Sequence, residues 1–262
     1  MSFKSKVAAA AATLTLVGGV SLAGALTAGT ASAATPSCGG GCLNLFSKQF
    51  GTHKSPNYVV DVLRQGEKVG QPVILFRTAN YDPAEDWTVA FQGTVADFFA
   101  AGLVSSALAL HYGCLPSTFP GGSCKSATNP HGFPNDPAFE NEYAPFGVDS
   151  GLCLGVAATA FNDEGVTLQP CGVSSKTVWI LDFQDSWSTF IHGGYIPLIN
   201  GSDTNFSHPF VLTYPNNGYP TDMPRPQLVV TNLTGFAQGP NGPELGTVDV
   251  NQLWGADFGI LK

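Results

Sequence analysis

The chain has 262 residues and a formal net charge of −8, and only 11% of its residues are charged, against roughly a quarter in an ordinary soluble domain. Its 11 basic residues form no patch, which excludes a nucleic-acid partner, and 44% apolar residues with 18 Phe supply enough core to exclude global disorder. Few charges, 31 Gly and 19 Pro favour an all-β secreted protein.

Residues 1–33 read as a cleaved secretory signal. Lys4 and Lys6 precede an uncharged, Ala-rich apolar run, and Ala31-Ser32-Ala33 offers the small-x-small pattern of a cleavage site. No charged stop-transfer cluster follows, which argues against a membrane helix. Residues 34–262 then suit a single extracellular domain, expected to be a monomer. All six cysteines lie in that part, and an even count in an exported chain reads as disulfides. Cys38 and Cys42 enclose three glycines, and Cys114 and Cys124 enclose a Pro/Gly-rich loop, so local pairing suits both, with other connectivities open. Neither a CxxC nor a paired-His ligand spacing occurs, and no metal or cofactor is expected.

Three segments then repeat one pattern: a short apolar strand, a turn, a second strand and a tryptophan. The first is Tyr58-Val59-Val60-Asp61-Val62, then Val73-Ile74-Leu75-Phe76, then Trp87. The second is Leu152-Cys153-Leu154-Gly155-Val156, then Val166-Thr167-Leu168, then Trp179. The third is Phe210-Val211-Leu212-Thr213, then Leu228-Val229-Val230, then Trp254. Gly, Pro, Asn or Asp brackets each strand. The Ala-rich stretch 95–110 reads as strand–turn–strand.

These units resemble the ricin-B-type β-trefoil lectins, whose lobes carry C-L-D-V, V-Q-L-W-x-C and Q-x-W motifs. Cys153-Leu154-Gly155-Val156, Val166-Thr167-Leu168-Gln169-Pro170-Cys171 and Trp179 match best, and Asn251-Gln252-Leu253-Trp254 keeps a full Q-x-W. The resemblance implies a β-trefoil, an intra-lobe disulfide between Cys153 and Cys171, and Trp87, Trp179 and Trp254 as core. One tryptophan per lobe makes physical sense, because a large apolar ring fills a layer while its N–H finds a carbonyl. Trp187 falls outside the repeat. The expected lobes are 47–112, 143–190 and 191–262, with a disulfide-tied insertion at 113–142. The run Cys42-Leu43-Asn44-Leu45-Phe46 (42–46) is expected to complete lobe three and so leave no edge bare.

The resemblance also implies a carbohydrate-binding, non-catalytic protein with glycan partners. In such lobes an Asp accepts sugar hydroxyls, an aromatic ring stacks on the sugar face, and an Asn before Q-x-W donates. Lobe one keeps Asp61 and Phe76, with Ala84 and Glu85 at the Asn and Gln positions. Lobe two has Gly155 and Gln169, and lobe three has Asn251 and Gln252 but Leu212 and Thr231 for the acid and ring. Asp61, Phe76, Asn251 and Gln252 are therefore the candidate sugar-binding residues. The rival reading is a protein-binding module or hydrolase inhibitor acting through 113–142. A serine-protease reading of Asp149-Ser150-Gly151 with His111 fails on spacing, and no spacing singles out an acid pair for glycoside hydrolysis. The sequons at Asn200, Asn205 and Asn232 are ordinary turn sequences.

Overall fold

The computed structural model describes residues 42–50, 58–79, 82–112, 136–181, 195–205, 208–215, 226–234, 236–239, 242–245 and 248–258. The signal region 1–33, Cys38, Cys114, Cys124 and Trp187 lie outside the described residues.

Short apolar runs between turn residues form strands here because each can bury one face in a shared core. Lobe one holds β1 (Leu43–Ser47), β2 (Tyr58–Val62), β3 (Val73–Arg77) and β4 (Trp87–Thr94). Lobe two holds β5 (Pro137–Tyr143), β6 (Leu152–Val156), β7 (Glu164–Pro170) and β8 (Trp179–Ile180). Lobe three holds β9 (Ile199–Asn200), β10 (Phe210–Thr213), β11 (Val229–Asn232) and β14 (Trp254–Phe258), with a separate hairpin of β12 (Phe236–Gly239) and β13 (Gly242–Leu245) before β14.

The first and last strands of the lobes close a six-stranded ring. β1 pairs β4, β4 pairs β5, β5 pairs β8, and β8 pairs β9. Ile196 bridges Trp254, and β14 returns to β1 from Leu43↔Phe258 to Ser47↔Trp254. The hairpins β2–β3, β6–β7 and β10–β11 cap the ring and touch one another, through Pro72↔Thr167, Val229↔Gly165 and Ile74↔Gln227. This is an all-β trefoil of three lobes. The N-terminal strand β1, expected to complete lobe three, is instead by position the first strand of lobe one, equivalent to β5 and β9 because Leu43 faces Trp87 as Phe139 faces Trp179; its ladder with β14 still seals the ring.

Each tryptophan fixes the register of its lobe. Trp87 lies opposite Leu43 and Tyr143, Trp179 opposite Phe139 and Asn200, and Trp254 opposite Ile196 and Ser47. Their indole N–H groups donate to Val60 O, Leu154 O and Leu212 O at 3.0, 2.9 and 2.8 Å. All three rings are buried in one cluster with Leu45, Leu198, Val60, Leu154 and Leu212. A disulfide joins Cys153 on β6 to Cys171 just beyond β7. Cys42 is also disulfide-bonded.

Two further expectations are corrected. Stretch 95–110 is helical: α1 spans Val95–Ala100 and α2 spans Ser106–His111. Thr94 and Asp97 form a reciprocal capping box, satisfying two of the first turn's orphan amides. Gly102, at φ 74°, ends α1, with Leu103 N bonded to Phe98 O and Gly102 N to Phe99 O. Ser105 caps α2 by accepting from Leu108 N. The helices bring Phe98, Phe99, Leu108 and Tyr112 into a second buried cluster with Phe46, Val59, Ala138 and Ile180 of the strands. Because this cluster covers the strands' other face, β1 is buried at all five of its residues. The second correction concerns the insertion, which does not run to residue 142. Pro137–Tyr143 is β5, paired along its length with β4, so the connection between these strands is 95–136.

One position breaks the three-fold core. Asn141 occupies the place of Leu45 and Leu198, opposite Val89 as Leu45 is opposite Ala256. It is fully buried, and neither side-chain amide atom has a hydrogen-bond partner. Such a group costs about 1–3 kcal/mol. Asn141→Leu is therefore expected to raise the thermal midpoint by a few degrees in differential scanning calorimetry; a lower midpoint would show that this lobe has no room for leucine.

Candidate functional site

Along each cap hairpin, alternate side chains face opposite ways. In lobe one Val60, Val62, Val73 and Leu75 enter the core, which leaves Val59, Asp61, Ile74 and Phe76 on the outer face. The equivalent outer residues are Gly155 and Gln169 in lobe two, and Thr213 and Thr231 in lobe three. The acid position of lobe three is thus Thr213 rather than Leu212, because the tryptophan bond aligns Val60, Leu154 and Leu212. A 3-10 turn precedes each tryptophan and stands over this face: Pro83–Glu85, Ser175–Thr177 and Val250–Gln252.

In lobe three the turn fills the face. Gln252 accepts from Thr234 N and Oγ1 at 2.8 and 2.9 Å, and donates to Thr231 Oγ1 and Asn232 O at 2.9 Å each. Its amide is saturated by the fold. Asn251 donates to Tyr214 O at 2.8 Å, which fastens the turn to β10's end. In lobe two the turn sits on the backbone itself. A Cβ on Gly155 would lie 2.8 Å from Lys176 O and 2.9 Å from Thr177 Cγ2, so no side chain fits at the acid position.

Lobe one differs. Asp61 and Glu85 are buried, at 3% and 2% exposure, and Asp82 is half-buried. One carboxylate oxygen from each lies within 4.8 Å of the others. Asp82 begins the turn, accepting from Ala84 N at 3.0 Å and from Gln65 Nε2 at 3.2 Å. Glu85 accepts from Ala79 N and Thr78 Oγ1, both at 2.9 Å. The Ala79 bond is the counterpart of Thr234 N to Gln252, since both amides stand three residues beyond the ring position. Lobe two makes the same capture another way: Gly172 N meets Glu140, which also accepts from Thr177 Oγ1 at 2.5 Å. Phe76 is half-buried on the same outer face of the hairpin as Asp61. Asp61 and Phe76 hold the places of Thr213 and Thr231, whose hydroxyls are 2.8 Å apart. The carboxylate nearest solvent is therefore Asp82, which the sequence pattern does not single out; its signal is the Asp-Pro start of a 3-10 turn.

The electrostatics follow from burial. Burial, reinforced by the charges of Asp61 and Asp82, pushes the Glu85 carboxyl up to about 8 against its two hydrogen bonds. A protonated carboxyl offers a donor as well as an acceptor, as the Gln252 amide does in lobe three. Burial also raises Tyr143, and the charges of Glu67, Asp61, Asp86 and Asp82 raise it further. Its hydroxyl is buried without a hydrogen-bond partner. Beside the carboxylate cluster, Arg64 and Gln65 adopt positive φ of 56° and 54°, an uncommon and strained conformation for such residues.

Other sequence motifs are absorbed by the fold. Ser150 Oγ donates to Tyr143 O at 2.5 Å and accepts from Leu152 N, so it clamps a turn. Asn200 is fully buried, and Asn205 Nδ2 donates to Asn232 Oδ1 at 3.2 Å.

No protein-family model and no curated protein matches the chain. Among solved structures it is similar to a designed three-fold symmetric protein, ThreeFoil, at 12% identity over 82% of this chain and 97% of that one, with a TM-score of 0.46. It is also similar to a mosquitocidal holotoxin at 12% identity, over 82% of this chain and 17% of the holotoxin chain, with a TM-score of 0.43. The trefoil assignment rests on the strand pairing itself.

The Glu85 environment sets a pH dependence. An acid raised in the folded state keeps a proton that the unfolded chain releases, so stability falls as pH rises from about 4.5 to about 8. Asp203, raised by burial to about 6, adds a fall in the same direction at lower pH. Thermal midpoints should therefore decline between pH 6.5 and pH 8. In Glu85→Gln this upper part of the decline should flatten, with a higher midpoint than wild type at pH 8. An unaltered profile in the variant would show that Glu85 does not carry it.

Proposed function

We propose that the chain is a secreted, non-catalytic carbohydrate-binding protein that uses lobe one alone. The observation that carries this reading is the contrast among the three outer faces. Lobe three is filled by the Gln252 network and lobe two by the backbone over Gly155, whereas in lobe one the outer face keeps a half-buried ring, Phe76, and the turn over that face begins with a half-buried carboxylate, Asp82. A sugar presents hydroxyls and a C–H face, and this pairing of chemistry answers both. Phe76 stacks on the apolar face, and Asp82 accepts hydroxyl hydrogen bonds, an ionised acceptor making the stronger sort. Asp61, at 3% exposure, lies too deep to meet the ligand.

A second reading, protein docking, has one observation in its favour. Phe146 is 69% exposed and held at φ 56° by a turn whose amide donates to Asp86 Oδ2 at 3.0 Å. Val148 lies exposed beside it. Rigid exposed aromatics anchor protein interfaces.

A glycan array on the mature protein, followed by calorimetry on the best hit, tests the proposal. Binding should be shallow, with a dissociation constant on the order of millimolar. Phe76→Ala should weaken it at least tenfold with little change in thermal midpoint. Asp82→Asn should weaken it while keeping the turn, since Asn caps as well as Asp. Binding that survives both changes, or depends on Phe146 instead, would remove lobe one from the reading.

A further inference from the structure

We infer that Asp61, Asp82 and Glu85 form a site for one hard divalent cation of the calcium type. Three oxygens within 4.8 Å of one another can all touch a single ion, because calcium binds oxygen at about 2.4 Å. The donor set is oxygen only, with no cysteine or histidine, which selects hard cations over zinc or copper. Two of the three acids are almost wholly buried, unlike the solvated acids of an ordinary acidic surface. The donors that meet Asp82 and Glu85 are neutral, namely Gln65, Ala84, Thr78 and Ala79.

A second observation points to the same place from the other side. Tyr143 stands at the position of Asn200, whose Nδ2 donates to Lys176 O in the turn before Trp179. The matching turn in lobe one is Pro83–Glu85, which carries Glu85 and is capped by Asp82, so Tyr143 holds the position that faces this turn, with its ring 5.7 Å from that of Trp87. Its hydroxyl is buried and has no hydrogen-bond partner, while Glu67, Asp61, Asp86 and Asp82 all act on it electrostatically. A calcium ion keeps several oxygen ligands beyond three, commonly water, and a bound water gives that hydroxyl its missing partner. Among the described residues this is the one place where three such ligand groups converge. The inference shares Asp82 with the sugar reading but not Phe76, which offers no ligand atom to a cation, so the two are tested apart at that ring.

Calcium titration of the mature protein, previously treated with a chelator, tests it by calorimetry and thermal melting. The expected result is saturable binding of one ion with a dissociation constant of roughly 10⁻⁴–10⁻³ M, the range of extracellular modules. The midpoint should rise by several degrees at ten-millimolar calcium, and magnesium should shift it less. Asp61→Asn should weaken binding at least tenfold, whereas Asp97→Asn, in the exposed capping box of α1, should not. If Asp61→Asn does not fold, Glu85→Gln serves, because Gln holds that place in lobe three. No saturable heat and no midpoint shift in the wild-type protein would overturn the inference, as would full calcium binding in a folded Asp61→Asn or Glu85→Gln. Phe76→Ala should leave the calcium titration unchanged, which separates this outcome from that of the glycan experiment.

Discussion

One hydrogen bond, made three times, organises the molecule: an indole N–H held by the carbonyl in the middle of the second strand of its own lobe. A buried indole without an acceptor is costly, so the ring's position and the strand's register are set together. Once Trp87, Trp179 and Trp254 are placed, the residues opposite them in two neighbouring strands are placed as well. The carbonyl just before each ring is then also determined. Asp86 O, Val178 O and Leu253 O accept from Ala144 N, Gly201 N and Lys48 N, each at the start of the following connection. The pseudo-symmetry is therefore enforced by polar bonds inside an apolar core, and not by sequence identity among the lobes.

The same constraint determines which outer faces are closed. Because the turn before each tryptophan must stand over the outer face of the hairpin, the residues of that turn decide whether the face is closed. The turn position two before the tryptophan holds Glu85, Thr177 or Gln252, and each takes part in capturing the amide beyond the third strand. Gln252 does so with a saturated amide, and Thr177 is too short and works through Glu140. Glu85 does so as an acid set against two others. Lobe one's departure from the pattern is thus a chemical substitution at a shared structural post.

The strand pairs and the tryptophan spacing are legible in the sequence because a period-two apolar pattern ending in a large ring has few other uses. The helices at 95–110 are not read by that criterion. Val95, Phe98, Phe99, Leu108 and Ala109 face a second core on the outside of the strands, so the apolar pattern there does not separate strand from helix. The punctuation does: Thr94-x-x-Asp97 and Gly102 are helix start and stop signals. The one-residue offset between Leu212 and Thr213 is invisible in the apolar string and emerges only from the indole bond. The burial of Asp61 depends on a turn some twenty residues later folding across it, which strand patterning does not encode.

The closure of lobes two and three also sets the valency of the molecule. A trefoil with three equal faces can grip a repeating polymer at three points, and each point after the first gains from the effective concentration created by the others. Here Gly155 and Gln252 close two of those faces from within. On the proposed reading a ligand of lobe one is held once, so its residence on a polymer would be governed by a single dissociation rate and would gain nothing from rebinding at lobes two and three.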